Sequence, residues 1–187
     1  KAAKKEGIKP IIGVEAYTTN QDQKIKKEGG KKIESNHLLL LSKDEEGYRN
    51  LMKLTTIAHL EGYYYRPRFE KETLKKYSKG LICTSACALG EIAQALSADD
   101  YDKARKIAKW FQEIFGEDYY LEVQRHEFDR FIDKAENQEV KQDLERMIRN
   151  EKLVNEGVVK LSRELGIPIV ATNDSHYIDP EDADAQD

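Results

Sequence analysis

Apolar residues in this chain fall into short runs of strand length that alternate with stretches of helical spacing. Lys1 to Glu6 reads as the end of a helix, Gly7 as its left-handed stop, and Pro10 to Tyr17 as the strand that follows. The pattern recurs near the other end. Val154, Val158, Leu161 and Leu165 share a helix face, Gly166 ends the helix, and Pro168 to Thr172 form the next strand. In both units a carboxylate stands eight residues past the glycine, Glu15 in the first and Asp174 in the second. A third unit is shifted by one: Tyr77 to Gly80 leads into Leu81 to Ser85 and on to Cys87.

Between these units, His37 to Leu41 is a continuous apolar run that suits a buried strand. Asp44 to Leu60 reads as a helix with Tyr48, Leu51 or Met52, Thr55, and Ala58 or His59 on one side. The cleanest helix is Asp100 to Phe115, with Tyr101, Ala104, Ala108, Phe111 and Phe115 in line, Asp99 or Asp100 as its cap and Gly116 as its stop. Tyr119 to Gln124 is another strand, and Asn20 to Asn36 is polar and aperiodic, a solvated loop. Alternating strands and helices imply an α/β fold around a mostly parallel sheet, open or closed into a barrel. In either form, sites lie at the carboxyl ends of the strands.

Composition narrows the function classes. A chain of 187 residues suits one domain with a real core. A net charge of −4 argues against a nucleic-acid surface covering the whole chain, though it leaves room for a local basic groove. No apolar run is long enough to span a membrane. Cys83 and Cys87 are too few for a disulfide framework, which favours a reducing cytoplasm. Because Lys1 falls within a helix already under way, the chain reads as a fragment.

The sharpest chemical signal is Asp174-Ser175-His176. Alternate residues of a strand share a face, and a carboxylate oxygen beside an imidazole nitrogen is a ligand pair for a catalytic divalent metal. Glu15 and Cys87 also fall at or past strand ends. His37 falls at a strand start, which fits if its strand runs antiparallel to that of Glu15. Each residue taken alone has an ordinary reading: a capping acid, a half-buried histidine, a small core cysteine. Convergence of five compatible donors on one rim favours the metal. His126 also follows a strand, whereas His59 reads as a surface or core histidine. Tyr63 to Tyr65 with Arg66 and Arg68 suit either base stacking with phosphate pairing or simple packing with ion pairs.

At these residues the chain resembles the polymerase and histidinol phosphatase (PHP) domain of the bacterial DNA polymerase III alpha subunit. The resemblance runs through Lys9 to Tyr17, His37 to Leu54 with its Glu46-Gly47-Tyr48-Arg49-Asn50-Leu51, Gly80 to Ile92 with Ser85-Ala86-Cys87, Tyr120 to His126, and Val170 to Tyr177. It implies a distorted β/α barrel whose amino-terminal strands are missing, residues 1–187 being the carboxyl-terminal part of one domain of a much longer polymerase chain. It further implies that Glu15, His37, Cys87, Asp174 and His176 are ligands of a cluster of two or three zinc or manganese ions. In the family that cluster is associated with removal of a 3′-terminal nucleotide. Arg125 and His126 are candidate nucleic-acid contacts, and the implied partners are DNA and the other replicase subunits. Two further readings stand beside this one: a stand-alone PHP phosphoesterase, and an inert PHP scaffold within the polymerase.

The family's opening His-x-His and Asp-His-Gly motifs, which supply ligands, are absent from this sequence. The isolated chain is therefore expected to be inactive and to bind zinc or manganese weakly, below full occupancy. Competition against a chromophoric chelator measures this, and tight stoichiometric binding would count against an incomplete ligand set.

Overall fold

The computed structural model describes residues 1–25, 35–182 and 185. In chain order the elements are α1 (Ala2–Lys5), β1 (Gly13–Thr19), β2 (Asn36–Ser42), α2 (Glu45–Leu60), β3 (Arg68–Glu70) and α3 (Lys71–Lys76). There follow β4 (Leu81–Thr84), α4 (Glu91–Ser97), α5 (Tyr101–Phe115), β5 (Tyr119–Gln124), α6 (Gln138–Leu165) and β6 (Ile169–Thr172). The strands form one sheet in the order β3-β1-β2-β4-β5-β6. Only β2 runs against the rest: it is antiparallel to β1 and β4, while the β1–β3, β4–β5 and β5–β6 pairs are parallel. The mixed α/β architecture and the antiparallel β1–β2 pair are as the sequence implies.

One face of the sheet carries the core. Ala16, Leu38, Leu40, Cys83, Tyr119 and Leu121 are buried there with Leu51, Leu54 and Ala58 of α2 and with Ala104, Ala108 and Phe111 of α5. The apolar stripe on α2 is narrower than the periodicity suggests. Tyr48 and Met52 are exposed at 40% and 45%, while Asn50 turns inward and donates to the carbonyl of Lys79 at 2.9 Å. Asp44 caps this helix, accepting from the Gly47 N–H at 2.8 Å, and Asp100 caps α5 in the same way through Lys103.

Several boundaries move. The first strand is Gly13–Thr19, not Pro10–Tyr17, because pairing with β2 begins at Gly13 and pairing with β3 carries the strand on to Thr19. Helix α6 begins at Gln138, capped by Asn137, well before the Val154 stripe. The Asn20 to Asn36 loop ends in β2, and its residues 26–34 lie outside the described residues. Arg68 is 2% exposed, packed against the Tyr64 ring and donating to the Ile25 carbonyl; Arg66 lies over Tyr17. Arg68 thus serves packing, while Arg66 stays exposed beside Tyr17.

The first turn of α2 lies directly on the turn before β4. A Cβ added at Gly47 would lie 1.7 Å from the Gly80 carbonyl oxygen, and Gly80 itself has φ of 73°. Both neighbours are backbone, so neither can yield cheaply. Gly47→Ala is expected to destabilise the chain by about 3 kcal/mol or more, measured by urea unfolding; wild-type stability would mean the helix can slide off the turn.

Candidate metal centre

The face of the sheet opposite the core carries the polar residues Glu15, His37, Thr84 and Glu122 beside Leu39 and Leu41. Across the antiparallel β1–β2 pair, Glu15 lies opposite Leu39 and Tyr17 opposite His37, so Glu15 and His37 are diagonal neighbours on one face. Their side chains meet, with Glu15 Oε1 2.5 Å from His37 Nδ1. Glu15 is thus the third residue of its strand and not a strand-end residue. It reaches the rim through this diagonal contact.

Cys87 arrives from the loop after β4. That loop is held by the Ala86 N–H donating to Thr84 Oγ1 at 3.2 Å, the Gly90 N–H donating to the Cys87 carbonyl at 2.8 Å, and the His37 N–H donating to the Leu89 carbonyl at 3.0 Å. The last bond ties the cysteine loop to the start of β2. Cys87 Sγ consequently sits 3.4 Å from His37 Nδ1 and 3.8 Å from Glu15 Oε1. Donor atoms of Glu15, His37 and Cys87 all lie within 4.8 Å of one another.

Asp174 and His176 follow β6 in a loop and do not share a strand face, since β6 ends at Thr172 and Asp174 takes a left-handed φ of 51°. That turn directs both toward the rim. His176 Nε2 is 3.6 Å from Asp174 Oδ1, and both residues line a cavity of about 390 Å³ together with Glu15, His37 and Cys87. His126 lines the same cavity, whereas Arg125 is exposed outside its lining. His59 is on the surface of α2, its Nδ1 2.8 Å from the Thr55 carbonyl.

Sequence reasoning missed two acids here. Glu122 on β5 is 6% exposed, accepts from the hydroxyls of Thr84 and Thr172 and from Gln124 Nε2, and pairs with no cation among the described residues. A lone acid within the otherwise apolar and aromatic run Tyr119 to Val123 was its signal. Glu151 on α6 accepts from the His126 N–H at 2.9 Å and lies 2.8 Å from His126 Nδ1. No local signal marks it, because its partner His126 lies 25 residues away and the two meet only when α6 folds against β5.

The donor set fits a divalent transition ion: a carboxylate oxygen, an imidazole nitrogen and a sulfur converge, and no lysine or arginine lines the cavity among the described residues. His37 Nε2 is buried without a hydrogen bond, so the polar contacts of the ring are made at Nδ1, inside the cluster. Burial, reinforced by the charges of Asp174 and Glu15, pushes the Cys87 thiol up to about 11.

The pattern of the PHP domain matches residues 1–126, and the chain belongs to that family. It is 49% identical over 187 residues to the DNA polymerase III subunit alpha of Borreliella burgdorferi, with all of this chain and 15% of that protein covered. To the subunit alpha of Chlamydia trachomatis it is 44% identical over 183 residues, covering 97% of this chain and 15% of that protein. To that of Aquifex aeolicus it is 38% identical over 187 residues, covering 97% and 14%. The chain thus spans about 15% of the length of these relatives. No helix among the described residues is long and apolar enough to cross a membrane.

With its thiol held near 11, Cys87 of the metal-free chain is almost entirely protonated at neutral pH. Its alkylation by iodoacetamide is expected to be slow at pH 7 and to rise about tenfold per pH unit toward 11. Mass spectrometry of the labelled Cys87 peptide measures this, and fast labelling at pH 7 would show that the thiolate is stabilised there.

Proposed function

We propose that this chain is a segment of the alpha subunit of a bacterial DNA polymerase III, the replicative DNA-directed DNA polymerase, and that its rim is a divalent-metal centre for hydrolysing the phosphodiester at a 3′ end. The relatives' names support the first part. The convergence of Glu15, His37 and Cys87 within 4.8 Å on the cavity that Asp174 and His176 also line supports the second. Domain extent, DNA and replicase partners and a cytoplasmic setting follow from the same reading: residues 1–187 are the carboxyl-terminal part of the domain.

Glu15, His37 and Cys87 would hold one ion, with Asp174 and His176 extending the ligand set toward a cluster. The Cys87 sulfur favours zinc, and manganese suits the oxygen-rich side. Such ions, when bound, supply an activated water and charge stabilisation at phosphorus. The chain's own contribution is positional. Asp174 is presented by its left-handed turn, and Glu122 is fixed by hydroxyls from β4 and β6 beneath the rim. Glu151 holds the imidazole of His126 at the cavity wall, where it can meet a substrate phosphate, with Arg125 beside it in sequence. Nucleotidyl transfer belongs to residues outside this segment.

Asp174→Asn preserves shape and tolerance of the left-handed turn while removing a ligand charge. In the full-length polymerase subunit, 3′ to 5′ excision is expected to fall by about two orders of magnitude or more, with primer extension far less affected. Normal excision by that variant, after exclusion of contaminating exonuclease, would make the domain a scaffold.

A further inference from the structure

We propose that the apolar half of the rim cavity is a seat for the base of the terminal nucleotide. The metal centre would then act on a strand end bearing a purine or pyrimidine and not on a small phosphate ester. This rests on the phosphodiester reading above and names its substrate more closely.

The cavity has two unlike halves. One holds the metal-ligand residues, and the other is built from the loop after β4, the turn after β5 and the inner side of α6. In the second half the rings of His126 and Phe128 stack with centroids 5.0 Å apart and planes 19° from parallel. Glu151 fixes that stack by holding both the backbone N–H and Nδ1 of His126. Leu89 and Met147 line the same cavity and remain 52% and 50% exposed, apolar surface left in a polar site. Such surface gains by being covered.

What covers it is indicated by Asn150. This residue lines the same cavity and its side chain makes no hydrogen bond among the described residues, so its amide has a donor and an acceptor to offer. Parallel rings, an aliphatic rim and a spare amide suit a flat heterocycle with hydrogen-bonding edges. A bare sugar phosphate could use the amide but neither the rings nor the aliphatic rim. The volume of about 390 Å³ lies within the range of small-ligand pockets. Stacking of a base on an aromatic side chain contributes roughly 5- to 150-fold in affinity.

The seat can be tested without metal or phosphate by titrating the 187-residue chain with deoxyadenosine and with 2-deoxyribose while following the Phe128 ring and Met147 methyl signals by NMR. Deoxyadenosine is expected to shift both, 2-deoxyribose neither. Phe128→Ala should weaken deoxyadenosine binding on the order of tenfold, and Asn150→Ala should weaken it severalfold. Phe128→Leu, which keeps most of the volume without the ring, should behave as Phe128→Ala does and guards against misfolding. Equal shifts by both probes, shifts remote from these residues, or unchanged binding by the variants would overturn the seat. Excision of a normal 3′ end against an abasic 3′ end by the full-length subunit tests its coupling to chemistry. Loss of excision at both ends in Asp174→Asn supports the phosphodiester reading, and its retention overturns that reading while leaving the binding result to stand or fall separately.

Discussion

Because β2 runs against both of its neighbours, its first residues lie beside the last residues of β1 and β4, at one and the same rim. His37 can reach Glu15 and the Cys87 loop only in that orientation and only in one register. A slip of a single residue would turn His37 to the core face and bring a leucine to the rim. The four consecutive leucines do not by themselves select a face, since both sides of β2 are apolar. Closeness at the far end of the pair does: a Cβ at Gly13 would fall 2.8 Å from the Leu40 carbonyl, so this glycine marks where the two strands must meet. The cluster is therefore specified by packing some distance from it.

A second layer lies beneath the rim. Thr84, Glu122 and Thr172 come from three adjacent strands and bind one another across the face opposite the core. The same Glu122 donates its backbone N–H to Ser85 Oγ at 2.8 Å, which links β5 to the chain leading into Cys87. Ala86 and Asp174, next to or within the candidate ligand set, both hold left-handed backbone without being glycine. Conformations of that kind cost on the order of 1 kcal/mol and persist where surrounding contacts over-determine them. The hydrogen bonds around Thr84 and Leu89 are such contacts for the cysteine loop.

Much of this architecture was legible in the sequence because its signals are local. Tyr119 to Gln124 matches β5 residue for residue, Asp100 and Gly116 bracket α5, and Gly166 closes α6. Short elements escaped: β3, α3 and α4 span few residues and are held by tertiary packing more than by periodicity. The amino-terminal half of α6 escaped although Val140, Leu144, Met147 and Ile148 recur at helical spacing, and Val140 and Met147 stay exposed at 40% and 50%. At the rim, residue types identified the five candidates, but the mechanism of their approach was not readable. Glu15 depends on a diagonal contact across a strand pair, and Asp174 and His176 on a backbone turn that follows their strand. Glu151 lies 25 residues from His126, a pairing visible only once α6 is folded against β5.

The cavity wall carries Glu15, Glu122, Glu151 and Asp174, and no lysine or arginine lines it among the described residues. A phosphate entering that field meets like charge in a partly desolvated space, where repulsion is far less screened than in bulk water. On the metal reading proposed above, bound cations would offset that charge, so loading of the ions would precede or accompany admission of a phosphorylated ligand. On that reading, occupancy by substrate would depend on the free concentration of divalent ions as well as on that of the substrate itself.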